Sequence, residues 1–182
     1  MKARVRLQPV RAGDEAEFLA AVARSRSLHG RWVMPPTTPA RFATLVDRMQ
    51  GPLNHGFVVR RSDSGALVGW IELTNIVRGV FLNAYVGYYA FAGQQGQGLM
   101  REGLQLAARQ AFGPLRLHRL EANIQPENSA SIALVQACGF EREGFSPRYL
   151  KIFCTVRIPY GLILALISLQ TTLPARQRKV AG

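Results

Sequence analysis

Gly93-Gln94-Gln95-Gly96-Gln97-Gly98 joins an aromatic run that ends at Phe91 to an apolar-patterned segment that begins at Leu99. This order predicts a strand, a tight glycine turn and a helix. Glycine lets the backbone approach a ligand closely, and the helix behind it adds the positive end of its dipole. The stretch therefore predicts an anion cradle, although glycines at such a turn can also serve geometry alone. It lacks the Lys-Ser/Thr pair of a P-loop and the third glycine and downstream acid of a Rossmann fingerprint.

The composition indicates one globular domain with a full core, since 48% of the 182 residues are hydrophobic. Lys and Arg outnumber Asp and Glu by 23 to 11, which gives a formal net charge of +12. This excess favours polyanionic partners, either a phosphate-bearing cofactor or RNA-rich surroundings. Alternatively, dispersed arginine reflects genome composition and solubility. The sequence has no dense run of basic residues of the kind that indicates a nucleic-acid-binding arm.

The two cysteines, Cys138 and Cys154, predict neither a disulfide framework nor a metal site. Residues 1–7 lack the apolar core of a secretory signal. The longest apolar run, 158–169, contains a proline and a glycine and is shorter than the roughly 20 residues of a membrane helix. We therefore expect a soluble, cytoplasmic protein with no membrane partner.

The first half of the chain predicts a strand at 5–7, two helices and the start of an antiparallel meander. The first helix opens at Asp14, and the second opens at Thr38 and Pro39, which are preferred N-cap and N1 types. A loop is predicted over 25–36, because Pro35-Pro36 cannot continue a helix. The second helix has its apolar residues at i, i+3, i+4 and i+7: Phe42, Leu45, Val46 and Met49.

The second half predicts strands at 56–60, 66–73 and 82–91, with a hairpin turn at 62–65 and a break at 75–79. A helix after the glycine turn is followed by a strand at 117–124. The strand–helix–strand crossover places this strand parallel to 82–91. A turn at 126–128 and a short helix at 129–137 follow, with Gly139 as its C-cap.

The order of these elements, the glycine turn and the segment 126–131 followed by Cys138-Gly139-Phe140 together resemble the GCN5-related N-acetyltransferases (GNAT). The resemblance runs from about Val5 to Ile152 and implies an α/β (α+β) fold, with a mixed central sheet that splays open between two parallel strands and is flanked by helices. Five stretches resemble the branch that acetylates N-terminal alanines of ribosomal proteins: Asn75-Ile76-Val77-Arg78-Gly79, Ala84-Tyr85-Val86-Gly87-Tyr88, Gln95-Gly96-Gln97-Gly98-Leu99-Met100, Leu117-His118-Arg119 and Tyr149-Leu150-Lys151-Ile152.

The resemblance implies acetyl-CoA as cosubstrate and assigns residues to bind it. Backbone groups of Tyr89, Ala90 and Phe91 would pair with the pantetheine arm like an added strand. Asn128 would hydrogen-bond the cosubstrate near the thioester, or alternatively would only cap the following helix. The pyrophosphate would lie on the amides of Gln94, Gln95, Gly96, Gln97, Gly98 and Leu99.

Acetyl transfer requires a neutral amine, a donor for the oxyanion and a proton for the leaving thiolate. Ser131 matches the position of a proposed acid in related ribosomal-protein acetyltransferases, or alternatively only covers the first turn of its helix. Tyr149 is a second candidate acid, with a core-filling or strand-pairing role as its alternative. The resemblance implies that the oxyanion donor is a backbone N–H near Tyr89.

The general base is open, because the strand 82–91 contains no carboxylate where some family members carry a glutamate. Glu72 and Glu121, on neighbouring strands, could act through water, although a surface or charge-paired role is the commoner one for such residues. An N-terminal α-amine has a pKa near ~8 and needs no strong base. We expect His29, His55 and His118 to be structural.

The chain departs from the family at Gly93, where Gln or Arg is usual, and again after Ile152. The Asp-Gly-x-Trp turn and charged closing strand of the branch are replaced by an apolar segment without acids. We expect one acetyltransferase domain over 1–152. The atypical segment 153–182 would supply an apolar last strand and a loose basic tail, or would expose an apolar patch and drive homodimer formation.

The expected function is acetyl-CoA-dependent N-acetylation, most simply of the N-terminal α-amine of a ribosomal or other protein, by direct attack in a ternary complex. A small amine, such as an aminoglycoside, a polyamine or an amino acid, is the alternative acceptor. A third alternative is a catalytically weak CoA-binding protein that associates with the ribosome. The missing strand carboxylate, the altered C-terminal segment and the charge of +12 support this third alternative.

Overall fold

The computed structural model describes residues 3–150 and 162–170, and the side chains of residues 3–145. A 3₁₀ turn at Ala12–Asp14 precedes the first α-helix. The helices are α1 (Glu15–Arg24), α2 (Arg26–His29), α3 (Pro39–Arg48), α4 (Leu99–Phe112) and α5 (Ser129–Gln136). The strands are β1 (Val5–Pro9), β2 (His55–Arg61), β3 (Leu67–Val77), β4 (Asn83–Ala90), β5 (Arg119–Ile124), β6 (Glu141–Leu150) and β7 (Leu162–Gln170).

The strands form one seven-stranded sheet in the order β1-β2-β3-β4-β5-β7-β6. β4 and β5 pair in parallel, and the other neighbours pair antiparallel. The parallel pairing runs only from Asn83↔Arg119 to Tyr85↔Glu121, while β4 continues to Ala90 and β5 to Ile124. The two strands therefore diverge over their C-terminal halves, which confirms the predicted mixed sheet splayed between two parallel strands.

Helices cover the two faces of the sheet unequally. α4 and α5 cover one face, where Ile71, Leu73 and Leu104 belong to the larger buried cluster. α1 and α3 cover part of the other face with a cluster rich in aromatic rings, in which Phe18 lies edge-on to Trp70 with 5.7 Å between the ring centroids. Beyond Trp70 this second face carries a pocket that Glu72 lines, and another pocket opens between the end of β4 and the helices α4 and α5.

Most of the predicted elements are present, although several differ in extent. A one-turn helix, α2, lies inside the predicted loop 25–36. β3 extends to Val77, two residues past the start of the predicted break at 75–79, because a register shift between Thr74 and Val77 absorbs the irregular backbone at Asn75, whose φ is 52°. The strand predicted at 117–124 begins at Arg119, and the helix predicted at 129–137 ends at Gln136.

The atypical C-terminal segment contributes a strand to the interior of the sheet. β7 pairs with β5 on one side, from Arg119↔Gln170 to Ile124↔Ala165, and with β6 on the other. The preceding part, 153–161, and the predicted loose tail, 174–182, lie outside the described residues, and the domain boundary at 152 stays a prediction. Within 3–150 and 162–170, no helix combines the length and apolarity needed to cross a membrane.

Candidate active site

A cavity of about 550 Å³ lies where β4 and β5 diverge, and we name it the β4–β5 cavity. Its wall comes from the end of β4, the glycine turn, the first turn of α4 and the N-terminal part of α5. The segment that carries α2 contributes a further side. The lining includes the predicted residues Tyr89, Ala90, Gln94, Gln95, Gly96, Gly98, Leu99, Asn128 and Ser131, together with His29, Trp32 and Tyr88.

The backbone of β4 presents alternate residues to this cavity. The N–H of Phe91 donates to the carbonyl of Val68 on β3 at 2.8 Å. Because an antiparallel ladder alternates its bonded pairs, Tyr89 also directs its backbone groups toward β3, and those of Tyr88 and Ala90 point to the side where β5 diverges. This edge of β4 can pair with an extended amide-containing chain.

This geometry corrects the predicted backbone contacts by one residue. Phe91 is 2% exposed, and its carbonyl accepts from the N–H of Gln94 at 3.3 Å, so both of its backbone groups are engaged within the protein. The amide of Tyr89 faces β3 and cannot serve the cavity as an oxyanion donor. On this edge the backbone groups that face the cavity are those of Tyr88 and Ala90.

His29 is buried and fixes the end of β4. Its Nε2 lies 2.9 Å from the carbonyl oxygen of Ala90, and its ring lies edge-on to that of Tyr89 at 5.1 Å. Burial lowers the pKa of His29, so the neutral ring donates from Nε2 to this carbonyl. Because His29 engages the carbonyl of Ala90, the N–H of Ala90 is the backbone group of that residue that is left open to the cavity. Neither His55 nor His118 lines this cavity.

The glycine turn has the backbone that its sequence predicts. Gly93, Gly96 and Gly98 have φ values of +85°, +74° and +73°. A Cβ atom at Gly93 or Gly96 would meet nothing within 4 Å, so the left-handed backbone, rather than lack of space, calls for glycine there. The first N–H groups of α4 have no acceptor within the helix and face the same turn. The turn therefore suits an anion.

Gln97 braces this turn from behind instead of lining the cavity. Its Nε2 donates to the carbonyl of Gly93 at 3.1 Å, and its Oε1 accepts from Arg61 at 3.1 Å. Arg4 donates to the carbonyl of Gln97 at 3.1 Å and also pairs with Glu102. The side chain of Gln97 is thus structural, which leaves only the backbone N–H of this residue for the predicted binding role.

Asn128 caps α5 and lines the cavity at the same time. Its Oδ1 accepts from the N–H of Ser131 at 3.1 Å, which confirms the capping interpretation. The Nδ2 group is the other end of the same amide and is a donor. The two predicted roles of Asn128 are therefore compatible, with the oxygen engaged in the cap and the nitrogen available to a ligand.

Ser131 contacts a residue that sequence reasoning missed. Its Oγ lies 2.6 Å from the hydroxyl of Tyr88, which also lies 3.1 Å from the carbonyl oxygen of Ser131. Burial raises the pKa of Tyr88, so its hydroxyl stays protonated. The alternation of side chains along β4 places Tyr88 on the same face as Ala84 and Val86, toward α5. This alternation is the sequence signal that could have identified Tyr88. Tyr149 belongs to β6, but its side chain lies outside the described residues.

The two glutamates considered as bases have different surroundings. Glu121 is 9% exposed and is held by Arg119 Nε at 2.8 Å and Asn83 Nδ2 at 3.3 Å, which confirms its charge-paired alternative. Glu72 is bound by Arg48 at 3.1 Å and lies opposite Gly87. A Cβ atom at Gly87 would approach Glu72 Oε1 to 3.0 Å, so glycine leaves room for this side chain.

The carboxylate of Glu72 lines a second cavity of about 450 Å³, which we name the Glu72 cavity. This cavity shares Trp32, Val33, Tyr88 and Tyr89 with the β4–β5 cavity, so the two spaces meet at the end of β4. Burial raises the pKa of Glu72, and the nearby Arg48 offsets part of that rise. The site thus joins a cavity that contains the glycine turn to a second cavity that contains a partly buried carboxylate.

Comparison with known protein families and structures agrees with this geometry. The family model described as the acetyltransferase (GNAT) domain matches residues 4–141. The Escherichia coli [ribosomal protein uS5]-alanine N-acetyltransferase is 39% identical over 90 residues, which are 50% of this chain and 46% of that protein. The chain spans between 46% and 62% of the length of the first curated relatives that it matches.

Two solved structures share the fold. Mycobacterium smegmatis RimJ in complex with CoA-disulfide superposes with a TM-score of 0.80 and 23% identity over 91% of this chain and 81% of that chain. Vibrio cholerae spermidine N-acetyltransferase, in complex with CoA and spermine, gives a TM-score of 0.75 and 20% identity over 93% and 96% of the respective chains. At these identities the likeness establishes the architecture.

Proposed function

We propose, because the chain belongs to the acetyltransferase (GNAT) family, that it transfers the acetyl group of acetyl-CoA to the N-terminal α-amine of a protein. One observation carries the proposal. The β4–β5 cavity, with its glycine turn and open strand edge, meets the Glu72 cavity at Tyr88 and Tyr89. A thioester bound in the first cavity and an amine bound in the second would meet at that junction.

The acetyl-CoA roles follow from the groups that face the β4–β5 cavity. The pantetheine arm pairs with the open backbone groups of Tyr88 and Ala90, and the diphosphate lies on the amides between Gln95 and Leu99. Nδ2 of Asn128 donates to the arm near the thioester. The buried Oε1 of Gln94, which has no protein partner among the described residues, is an acceptor on the same wall.

The left-handed backbone at Gly96 gives a direct test of the donor site. Gly96→Ala is expected to weaken CoA binding about 5-fold, because an L residue in this region costs about 1 kcal/mol and the turn relaxes to avoid it. Titration calorimetry with CoA measures the change. Gly51→Ala is the matched control, since a Cβ there also meets nothing within 4 Å but the backbone φ is not positive. Equal affinities of the two variants would contradict this assignment of the turn.

The transfer itself uses three groups of the chain. Glu72 accepts a proton from the incoming ammonium, directly or through water, and the neutral nitrogen attacks the thioester carbonyl. The N–H of Tyr88 or Ala90 stabilises the oxyanion. A C–N bond forms, the C–S bond breaks, and the sulfur keeps the electron pair and receives a proton from Ser131. The second proton leaves the nitrogen for solvent as the tetrahedral intermediate collapses to the amide. Exchange with solvent returns Glu72 and Ser131 to their starting states.

The charges around Glu72 favour a peptide over a polyamine. Arg31 lines the Glu72 cavity and stacks on Trp32 at 4.6 Å, and Arg48 lies against the carboxylate itself. A single ammonium group can be held by Glu72, but the further cationic groups of a polyamine would meet arginines. The ribosomal-protein relative supports a protein acceptor. Association with a ribosome, a homodimer and a cytoplasmic location stay predictions.

A panel of acceptors tests the proposed function. Thiol release from acetyl-CoA would be measured with peptides that carry free Ala, Ser or Met N-termini, with their blocked counterparts, and with spermidine, an aminoglycoside and free amino acids. We expect turnover with the free peptides alone. Turnover confined to small amines would overturn the protein acceptor. Salt-sensitive RNA binding without turnover on any amine would favour the ribosome-associated alternative.

A further inference from the structure

A third, shallow pocket of about 230 Å³ lies between α3 and the segment before it, and we name it the Arg41 pocket. One side is a row of residues at helical spacing on α3, and the other is the apolar floor of Met34 and the two prolines that follow it. Among the residues that the structure describes, none of those that line it is acidic. Its lining is Met34, Pro35, Pro36, Arg41, Thr44, Leu45 and Arg48.

The Arg41 pocket adjoins the place proposed for the acceptor amine. Met34 lines both this pocket and the Glu72 cavity. Arg48 lines the pocket and also donates to Glu72 Oε2 at 3.1 Å. An acceptor that places its amine against Glu72 can therefore continue over Met34 along α3 toward Arg41.

The uncompensated charge of this pocket is positive. Arg41 is exposed, and within the described residues its side chain forms no ion pair, while Arg48 shares its charge with Glu72. The hydroxyl of Thr44 donates to the carbonyl of Ala40 at 3.0 Å and so does not compete for an anion. Asp47 lies on the same helix but does not line the pocket. Guanidinium groups in such a setting recognise carboxylates through paired hydrogen bonds.

We infer that the Arg41 pocket binds an acidic side chain of the acceptor, which makes the substrate class a protein whose N-terminal segment carries Asp or Glu close to the acetylated amine. Arg41 and Arg48 are seven residues apart, which is about 10 Å along the helix. An extended peptide covers that distance in about three residues. The acid belongs at position 2, 3 or 4 of the acceptor. This inference rests on the proposed function.

The test uses C-terminally amidated peptides that begin with Ala and carry Glu, Gln or Lys at position 2, 3 or 4. With the unaltered protein we expect kcat/KM for the best Glu peptide to exceed that of its Gln counterpart by about 5-fold, with Lys lower still. Arg41→Gln should abolish the difference between Glu and Gln, and Arg41→Glu should invert the order of Glu and Lys. Arg109→Gln, an exposed arginine on α4, is the matched control and should keep the wild-type order.

Peptide binding in the presence of CoA, measured by calorimetry, accompanies the rates and separates two kinds of failure. Turnover of all free peptides at one rate, with no effect of Arg41→Gln, would overturn the inference and leave the proposed function standing. No turnover and no binding of any peptide would overturn both. Preference for peptides with a free terminal carboxylate over their amidated forms would assign the pocket to a small amino-acid acceptor and overturn the side-chain inference.

Discussion

Glu72→Gln is expected to lower kcat/KM for a peptide acceptor by about 100-fold, the lower end of what a positioned general base contributes. The substitution keeps the shape of the side chain and its contact with Arg48, but the amide cannot take a proton from the ammonium. The carboxylate lines the Glu72 cavity beside Gly87, where the acceptor arrives in the proposed complex. Initial rates of thiol release, with CoA affinity measured alongside, give the effect on chemistry alone.

The pH dependence of the activity tests the same role of Glu72 as the base. Burial raises the pKa of Glu72 above its ordinary value, and the carboxylate form is the one that accepts the proton. Activity of the unaltered protein should therefore fall as the pH drops through this raised pKa. In Glu72→Gln that acid limb should disappear, which leaves the titration of the acceptor amine near ~8. Profiles of kcat/KM between pH 5 and pH 9 record both.

Glu121→Gln is the matched control, since it changes a carboxylate on a strand of the same sheet that is engaged by Arg119 and Asn83. It should lower the melting temperature and leave the acid limb in place. A Glu72→Gln protein that retained half of its activity and an unchanged pH profile would contradict the base assignment. The proton would then pass directly to solvent.

Sequence patterns predict the parts of this fold that local chemistry determines. The glycines of the segment 93–98 permit the left-handed backbone that Gly93, Gly96 and Gly98 adopt, and the flanking strand and helix patterns predict a turn between them. Thr38 accepts from the N–H of Arg41 and Pro39 follows it, as the N-cap and N1 types predict. Both signals lie within a few residues of the structure that they specify.

The remaining features depend on partners distant in the sequence. The backbone direction of Tyr89 and Phe91 depends on the register between β4 and β3, so the sequence could not show that their backbone groups face β3 instead of the cavity. Tyr88 lies 43 residues from Ser131, and no local pattern brings the two hydroxyls together. The sequence likewise could not distinguish the role of Glu72 from that of Glu121, because the difference depends on Arg48 and Gly87, which lie on other elements.

Ser131→Ala is expected to lower kcat by about 100-fold and to leave the KM for acetyl-CoA nearly unchanged, because the variant loses the donor to the leaving sulfur but no binding group. Ser129→Ala, on the exposed first turn of the same helix, is the matched control and should behave as the unaltered protein. An acetyl thioester of a more acidic thiol should restore most of the lost rate, since its thiolate leaves without a proton. Failure of this rescue would indicate a structural role for Ser131, with Tyr149 as the next candidate acid.

Tyr88 is expected to act through Ser131, and a double-mutant comparison distinguishes this from direct catalysis. The Tyr88 hydroxyl lies 2.6 Å from Ser131 Oγ, and either hydroxyl can donate in this contact. The arrangement in which tyrosine donates to Oγ leaves the serine proton free to reach the sulfur. Tyr88→Phe should then lower kcat about 10-fold, and the double variant should be no slower than Ser131→Ala alone. If Tyr88 itself protonates the sulfur, adding Tyr88→Phe to the Ser131→Ala protein should slow it by a further 10-fold. The acidic thioester should then fully restore what Tyr88→Phe removes from the rate of this double variant.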